Sequence, residues 1–587
     1  MSSALPPESL FSLPQRIVIL PNVQDGPVGY AARELGRCLA NAGCAIQISA
    51  DGTANSGFFI RLCWEEQLTD LEDGAFRISV TAQGITLKSG KAAGQVYGAY
   101  ALLEKLGWRF LAKDCEITPH APLRLPLGTW EEHPAFSVRE IFWRGAMDGE
   151  YAVKLRLNSA RSTITPDQGG KAMFYNFSHT FDQLVPVKTY FDTHPEYFSM
   201  RDGVRVRERT QLCLTNPDVL RLCTEGVLKW KREHPEYTIF SVSMNDWYNN
   251  CQCPACRKID EEEGSSAGTV IRFVNAVADN VTKIYPDVRI HTFAYLYCRK
   301  PPKLTRPHPS VIVRLCSIEC CYSHPIAQCG CEISRINVQG TFAHAFTGDP
   351  HVPSSFMRDL AGWSKLCKNQ LFIWDYTTNY ANYLQPFPNL HVLADNLRTF
   401  RQYGASGVLE QGNFSLGRAS ALGDLKVYLL GKLLWNPDLN PEELIREFAE
   451  GYWENGAEAM LRYIDLWRKA VKDAHMSIYD PPDAAYLSEP TLTTAEAYLR
   501  EALEKTQGAA HERLEREALS LRYVRLAQED PTQDGHAARV DAFAADAKRL
   551  GISELFERRD LEGSFEVLRT SHLTQDRSAA KPIRYPI

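Results

Sequence analysis

Between Pro134 and Trp435 the chain alternates short β-branched and aromatic runs with longer amphipathic stretches. That alternation constrains the fold more than any other feature. Val138–Trp143, Asn158–Ile164, Gln211–Thr215, Thr238–Val242, Arg289–Tyr295, Val311–Cys316, Leu371–Trp374 and Gly407–Leu409 read as strands. Val219–Glu233 and Ala267–Ile284 carry apolar positions at helical spacing between them. Eight strands over about 300 residues predict an α/β fold centred on a (β/α)8 TIM-type barrel with enlarged loops. An open parallel sheet is the alternative.

The flanks read differently. Arg16–Leu20, Phe58–Leu62, Phe76–Val80 and Gly84–Lys88 predict strands, with helices at Gly29–Ala42 and Ala92–Leu106. These make an N-terminal α/β domain at 1–130, followed by a Pro-rich linker at Pro122–Pro134. After Trp435 strand signals stop. Asn440-Pro441-Glu442-Glu443 is a helix start, a cap followed by proline and acids in the first turn. Leu444, Ile445, Phe448 and Tyr452 then mark one helix face. Thr493-x-x-Glu496 predicts a capping box before Tyr498, Leu499 and Leu503, and Leu514, Ala518 and Leu521 continue the pattern. The expected layout is 1–130, a barrel at 131–435 and an α-helical C-terminal domain at 436–587.

Composition removes several classes of function. Charged residues at 23% and hydrophobic ones at 44% of 587 describe a globular chain larger than one core. Lys plus Arg is 65 against 71 Asp plus Glu, net −6, so no basic field for nucleic acid is expected. No run reaches the roughly 18–20 apolar residues of a membrane span. Met1 to Pro14 lacks a basic stretch followed by an apolar one. The chain as given predicts a cytoplasmic location, or export if a leader has been removed. Phosphate-binding glycine loops and a His-Glu-x-x-His helix are absent, and no cofactor is expected for catalysis.

In barrels of this kind reactive side chains gather at the C-terminal strand ends. Asn245 and Asp246 stand at such an end, followed by Trp247 and Tyr248, whose rings would desolvate Asp246 and suit it to donate a proton. Asn245 could orient a polar substrate group. The blander reading makes Asp246 a cap for the next element. Glu410 follows the Gly407-Val-Leu409 strand and precedes a polar run with a turn glycine, Gly412. Its carboxylate could stabilise positive charge at an anomeric carbon, or pair with an arginine such as Arg144 or Arg161. Trp374-Asp375-Tyr376 ends another strand, where an indole can wall a sugar ring and a tyrosine can bond an acetamide oxygen. Tyr295 closes a further strand, and His179 and Arg144 are polar candidates equally open to structural roles.

The thiols stand apart. Sixteen cysteines are present, ten of them between Cys251 and Cys367. Cys251-x-Cys253-x-x-Cys256 resembles part of a structural zinc site, with a fourth ligand to come from Cys316, Cys320, Cys321, Cys329, Cys331 or His324. Reduced core thiols and local disulfides are the other readings.

Several of these pieces recur together in one family. His179-Thr-Phe181, His194-Pro-Glu-Tyr-Phe198, Gln211-Leu-Cys-Leu-Thr-Asn-Pro217, Asn245-Asp246, the Cys251 to Cys256 motif, Trp374-Asp-Tyr376 and Pro386-Phe-Pro388 occur in order. In that order they resemble the domain-of-unknown-function 4838 group, classed as glycoside hydrolase family 163. The stretch from Gly94 to Glu104 is similar to the domain that precedes the barrels of α-glucuronidases and β-hexosaminidases. The resemblance implies an endo-β-N-acetylglucosaminidase that cuts the GlcNAc-β-1,4-GlcNAc core of N-glycans on a glycoprotein. It implies Asp246 as general acid and base, Asn245 orienting the substrate acetamide and Tyr376 assisting it, by analogy with acetamide-assisted families. Substrate contacts would come from Trp247, Tyr295, Trp374, Asp375, Tyr376, His179 and Arg144. A conventional pair of Asp246 with Glu410 stays open, as do an exo-acting hexosaminidase or glucuronidase and a glycan-binding protein without turnover.

Overall fold

The computed structural model describes residues 10–49, 57–72, 74–330, 335–336, 342–343, 355–414, 421–557 and 559–571. Near the N-terminus six strands form one mixed sheet. They are β1 (Arg16–Pro21), β2 (Ala45–Ile48), β3 (Phe58–Trp64), β4 (Phe76–Thr81), β5 (Gly84–Ser89) and β6 (Gly128–Glu132), ordered β6-β4-β5-β3-β1-β2. The helices Gly26–Asn41 and Ala93–Lys105 bury Leu35, Leu39, Leu102 and Leu103 in this layer. β6 corrects the expected linker. Its five residues contain no proline, pair antiparallel with β4 as an edge strand, and place Glu131 against Arg77. The sheet abuts the rest of the protein through Trp435, stacked 5.9 Å from Phe76 and edge-on 5.6 Å from Tyr97. Glu104, largely buried, takes both Arg156 and Lys432 as partners, and Arg156 lies over the Trp435 ring.

The second sheet has seven strands, all parallel. They are β7 (Val138–Phe142), β8 (Phe174–Tyr175), β9 (Ile239–Ser241), β10 (Arg289–Ala294), β11 (Val311–Cys316), β12 (Leu371–Tyr376) and β13 (Gly407–Gln411), ordered β7-β13-β12-β11-β10-β9-β8. Every residue of β11, β12 and β13 is buried, as strands covered on both faces require. The sheet curls. Phe174 on β8 and Phe372 on β12 lie four strand spacings apart, roughly 19 Å in a flat sheet, yet their rings meet at 6.4 Å. Inside the curl Arg314 donates to Glu140 at 3.0 Å, with both side chains 1% exposed. The rings of Phe174, Phe177, Phe372 and Trp374 surround that guanidinium. The buried ion pair across the interior is therefore Glu140 with Arg314, and not Glu410 with Arg144 or Arg161.

Two expected strands do not form, so the described sheet is a curled half-barrel and not the eight-stranded closed barrel. Asn158–Ile164 runs beside β7, but side chains take over its ladder. Asn158 accepts from the Arg139 N–H and donates to Ser137, and the Ala160 N–H is drawn to the Glu140 carboxylate. Gln211–Thr215 makes only an isolated bridge, Leu212 to Phe198, because its polar side chains are committed elsewhere.

Beyond Trp435 the described chain is helical. Asn440 caps Pro441–Tyr452 by accepting from the Glu442 N–H, as the sequence predicts. The expected capping box at Thr493 is displaced. Pro490 in the first turn starts the helix at Glu489, so Thr493 lies inside it and Glu496 pairs with Arg525. No helix among the described residues is long and apolar enough to cross a membrane.

Candidate active site

Asp246 sits in the loop that leaves the C-terminal end of β9. Its side chain is 32% exposed, and its Oδ1 accepts from the Tyr295 hydroxyl at 3.1 Å. Tyr295 ends the neighbouring β10. Burial, and then the Asp246 charge, push the Tyr295 hydroxyl well above the usual range, so it stays a donor. His179 completes the group. Its Nδ1 donates to the Met244 carbonyl at 2.8 Å, which turns Nε2 toward Asp246 Oδ1 at 3.9 Å. His179 and Leu296 both hold left-handed backbone, φ 54° and 48°, a strain that concentrates at functional sites. The second Asp246 oxygen takes no hydrogen bond from the described residues, which leaves it open to a ligand.

The loop carrying Asp246 is tied down by its neighbours. Asn245 is 4% exposed; its amide donates to Thr210 and its oxygen accepts from the Asp182 N–H. Both ends of the amide are thus spent on backbone. Gln211 exchanges two hydrogen bonds with the Asn245 peptide and donates a third to the Trp247 carbonyl at 2.6 Å. The Trp247 indole also donates to Thr210, at 2.7 Å. Asn245 and Trp247 brace the site, and Trp247 is half-buried.

Strand alternation separates the other candidates. Trp374 packs on Phe177 and Phe293 inside the curl, at 5.2 and 5.6 Å, and its indole donates to Gln411. Tyr376 is two residues on and shares that inner face. Burial keeps its hydroxyl protonated. Asp375 and Glu410 are register partners on the opposite parity, so they face outward toward the helices. Asp375, 2% exposed, accepts from Ser317, and burial pushes its carboxyl up to about 6. Glu410, 1% exposed, is raised further by burial and then by Asp375, and its Oε2 is buried without a hydrogen bond from the described residues. Neither joins Asp246. Arg144 is exposed, its side chain resting on the Met147 sulphur 4.0 Å away. Gly412 is not a positive-φ turn glycine; a Cβ there would stand 1.7 Å from the Trp143 ring.

Five residues beyond Asp246 the thiols converge. Cys213, Cys251, Cys253 and Cys256 are all buried, with their sulphurs within 4.8 Å of one another. Cys213 lies 3.7 Å from Cys253 and 4.0 Å from Cys256. A tetrahedral zinc thiolate with ~2.3 Å bonds has edges of roughly 3.8 Å. None of the four is in a disulfide. The Met200 N–H points at Cys251 at 3.3 Å, a donor that would steady a thiolate. The fourth thiol of the group is Cys213, which none of the expected positions included. Its signal lies in the Gln211 to Pro217 motif, of which the cysteine is a part. Cys331 lies outside the described residues.

A cavity of about 250 Å³ lies away from this group, lined by Phe387, Leu422, Ile445, Arg446, Trp467 and Arg468 among others. It contains none of the candidate residues, so geometry favours the strand ends.

Comparison with known proteins finds the same overall fold in solved structures. Over 96% of this chain and 78% of the other, it is similar to "a novel family GH115 4-O-methyl-alpha-glucuronidase, BtGH115A, with specificity for decorated arabinogalactans", at TM-score 0.54 and 12% identity. It is also similar to a "GH138 enzyme targeting pectin rhamnogalacturonan II", over 92% of both chains at TM-score 0.53 and 10% identity. At such identities the likeness is one of fold. None of the curated proteins matches in sequence. The profile of one family, Domain of unknown function (DUF4838), matches residues 110–465, more than half of the chain. The protein therefore belongs to the DUF4838 family.

Proposed function

We propose that this protein is a glycoside hydrolase, an endo-β-N-acetylglucosaminidase that cuts the GlcNAc-β-1,4-GlcNAc core of N-glycans. The observation that carries the reading is Asp246: a partly exposed carboxylate at a strand end, held by one tyrosine hydroxyl and faced by a histidine. In this reading Asp246 protonates the leaving oxygen while the substrate's 2-acetamide oxygen attacks the anomeric carbon. Asp246 then takes a proton from the water that opens the oxazolinium ring, so configuration is retained. Tyr376 is assigned to the acetamide and Trp374 to the floor of the pocket. Asn245, with both ends of its amide engaged, is assigned to holding the Asp246 loop and not to the acetamide. Glu410 has no part. The four thiols at Cys213, Cys251, Cys253 and Cys256 are read as a structural zinc site bracing that loop.

A second reading, a glucuronidase-type hydrolase, has one observation in its favour. The exposed Arg161 guanidinium lies 4.8 Å from the Phe177 ring, with no ion pair to a described residue, where a uronate carboxylate could meet it. One experiment separates the two. Wild type and Asp246→Asn are incubated with a high-mannose and a complex N-glycoprotein, and with an aryl glucuronide. A single GlcNAc left on asparagine by wild type alone supports endo-cleavage; release from the glucuronide alone replaces it with the second reading.

A further inference from the structure

A second group of soft ligands converges away from Asp246, on the chain that leaves β11. Cys321, His324 and Cys329 come from that chain, and His475 from the connection between the helices Ala457–Ala470 and Glu489–Glu504. Their donor atoms all lie within 4.8 Å of one another. Cys321 Sγ is 3.4 Å from His324 Nδ1, and Cys329 Sγ is 3.7 Å from His475 Nδ1. In a tetrahedral site with ~2.3 Å bonds to sulphur and ~2.05 Å to nitrogen, such an edge is roughly 3.6 Å. The two imidazole centroids stand 4.8 Å apart.

The surroundings suit a metal. His324 Nε2 is 2.8 Å from the Lys472 carbonyl, which can only accept, so Nε2 carries a proton and Nδ1 is the ring nitrogen left facing Cys321. That is the outer hydrogen bond that orients a ligating histidine. The backbone on both sides is stitched in register. Tyr322 N–H donates to the Met476 carbonyl at 3.1 Å, Ser323 Oγ donates to Ala474, and the Met476 N–H returns to Ser323 Oγ at 3.2 Å. His391 fixes the Ser323 carbonyl from the helix Leu390–Gln402, at 2.9 Å.

We propose that Cys321, His324, Cys329 and His475 bind a second zinc ion. Two thiolates and two neutral imidazoles balance its charge, and this soft donor set disfavours calcium and magnesium. Four protein ligands leave no open position, so the ion is structural. It clamps the chain after β11 to the C-terminal helices. The same stretch supplies Ser317, which holds Asp375 behind the sheet. The inference is independent of the glycosidase reading.

Elemental analysis of the full chain, purified without chelator, tests it. Two zinc ions per chain are expected in wild type, one in His324→Ala/His475→Ala, and one in Cys251→Ser/Cys253→Ser. His475→Cys keeps four ligands and should retain two, which separates lost ligation from lost folding; near-UV circular dichroism reports the fold of each. A wild-type chain with one zinc, unchanged in His324→Ala/His475→Ala, overturns the proposal. So does a Cys321–Cys329 disulfide found by non-reducing peptide mapping.

Discussion

Asp246 and Glu410 stand in equivalent places in sequence, each just past an apolar run at the C-terminal end of a parallel strand. In the fold they are opposites. Asp246 leaves β9 on a loop, one-third exposed, beside Tyr295 and His179. Glu410 is still inside β13, 1% exposed, turned to the outer face against Asp375. The difference is that Asp246 has left its strand, whereas Glu410 is still held in its own. A carboxyl on the inner face or in the loop beyond can meet a ligand, whereas one on the outer face meets the helix layer and stays protonated to remain buried. Position at a strand end is therefore not enough to nominate a catalytic acid.

The strongest way to break this contrast is to neutralise each acid in turn. Asp246→Asn should lower turnover of the cleaved glycan about 10²–10⁴-fold, the worth of a positioned general acid. Glu410→Gln should leave it within about twofold; comparable losses in kinetics on folded variants would erase the distinction. On the Glu410 side the sheet is shaped by close packing. Gly412→Ala should destabilise by about 1–3 kcal/mol in urea denaturation, because Trp143 must move and forfeit its bond to Thr377.

The outer pair also makes a pH prediction. Asp375 is raised from 3.8 to about 6, mainly by burial. Between those values the folded chain keeps a proton that the unfolded chain releases, so stability falls as pH rises through that window. The loss is complete above the folded value and amounts to about 2–3 kcal/mol at most. Glu410, raised in the same sense, extends the fall to higher pH. Asp375→Asn should flatten the profile between pH 4 and 6, and an unchanged slope would mean the pair is not buried as described. A smaller loss of activity than that of Asp246→Asn is expected at its hydrogen-bond partner. Tyr295→Phe removes one hydrogen bond to a carboxylate and should cost about 10-fold in turnover. It should also shift the pH–rate profile, which a purely structural tyrosine would not do.

Much of this is legible before the fold. The runs that form β7, β9, β10, β11, β12 and β13 announce themselves because a strand covered on both faces is rich in β-branched and aromatic residues. β8 escapes such a reading; two residues, Phe174 and Tyr175, are too short to carry a period. Asn158–Ile164 misleads because nothing local says that the Glu140 carboxylate will take the Ala160 N–H. The Asn245-Asp246 segment is recognisable from its chemistry, but the commitment of the Asn245 amide to Thr210 and Asp182 is not.

By itself, then, the sequence determined the alternation of strand and helix, the cap at Asn440, and the concentration of polar and thiol side chains after β9. These are consequences of local periodicity and residue chemistry, felt within a few positions along the chain. Only the tertiary structure decided that Glu410 faces away from Asp246, that Cys213 completes one thiol group, and that His475 meets Cys321, His324 and Cys329. Each of those depends on register between strands or on contacts spanning tens to hundreds of residues. No local preference encodes such distances; they follow from how the sheet curls and where the helices pack against it.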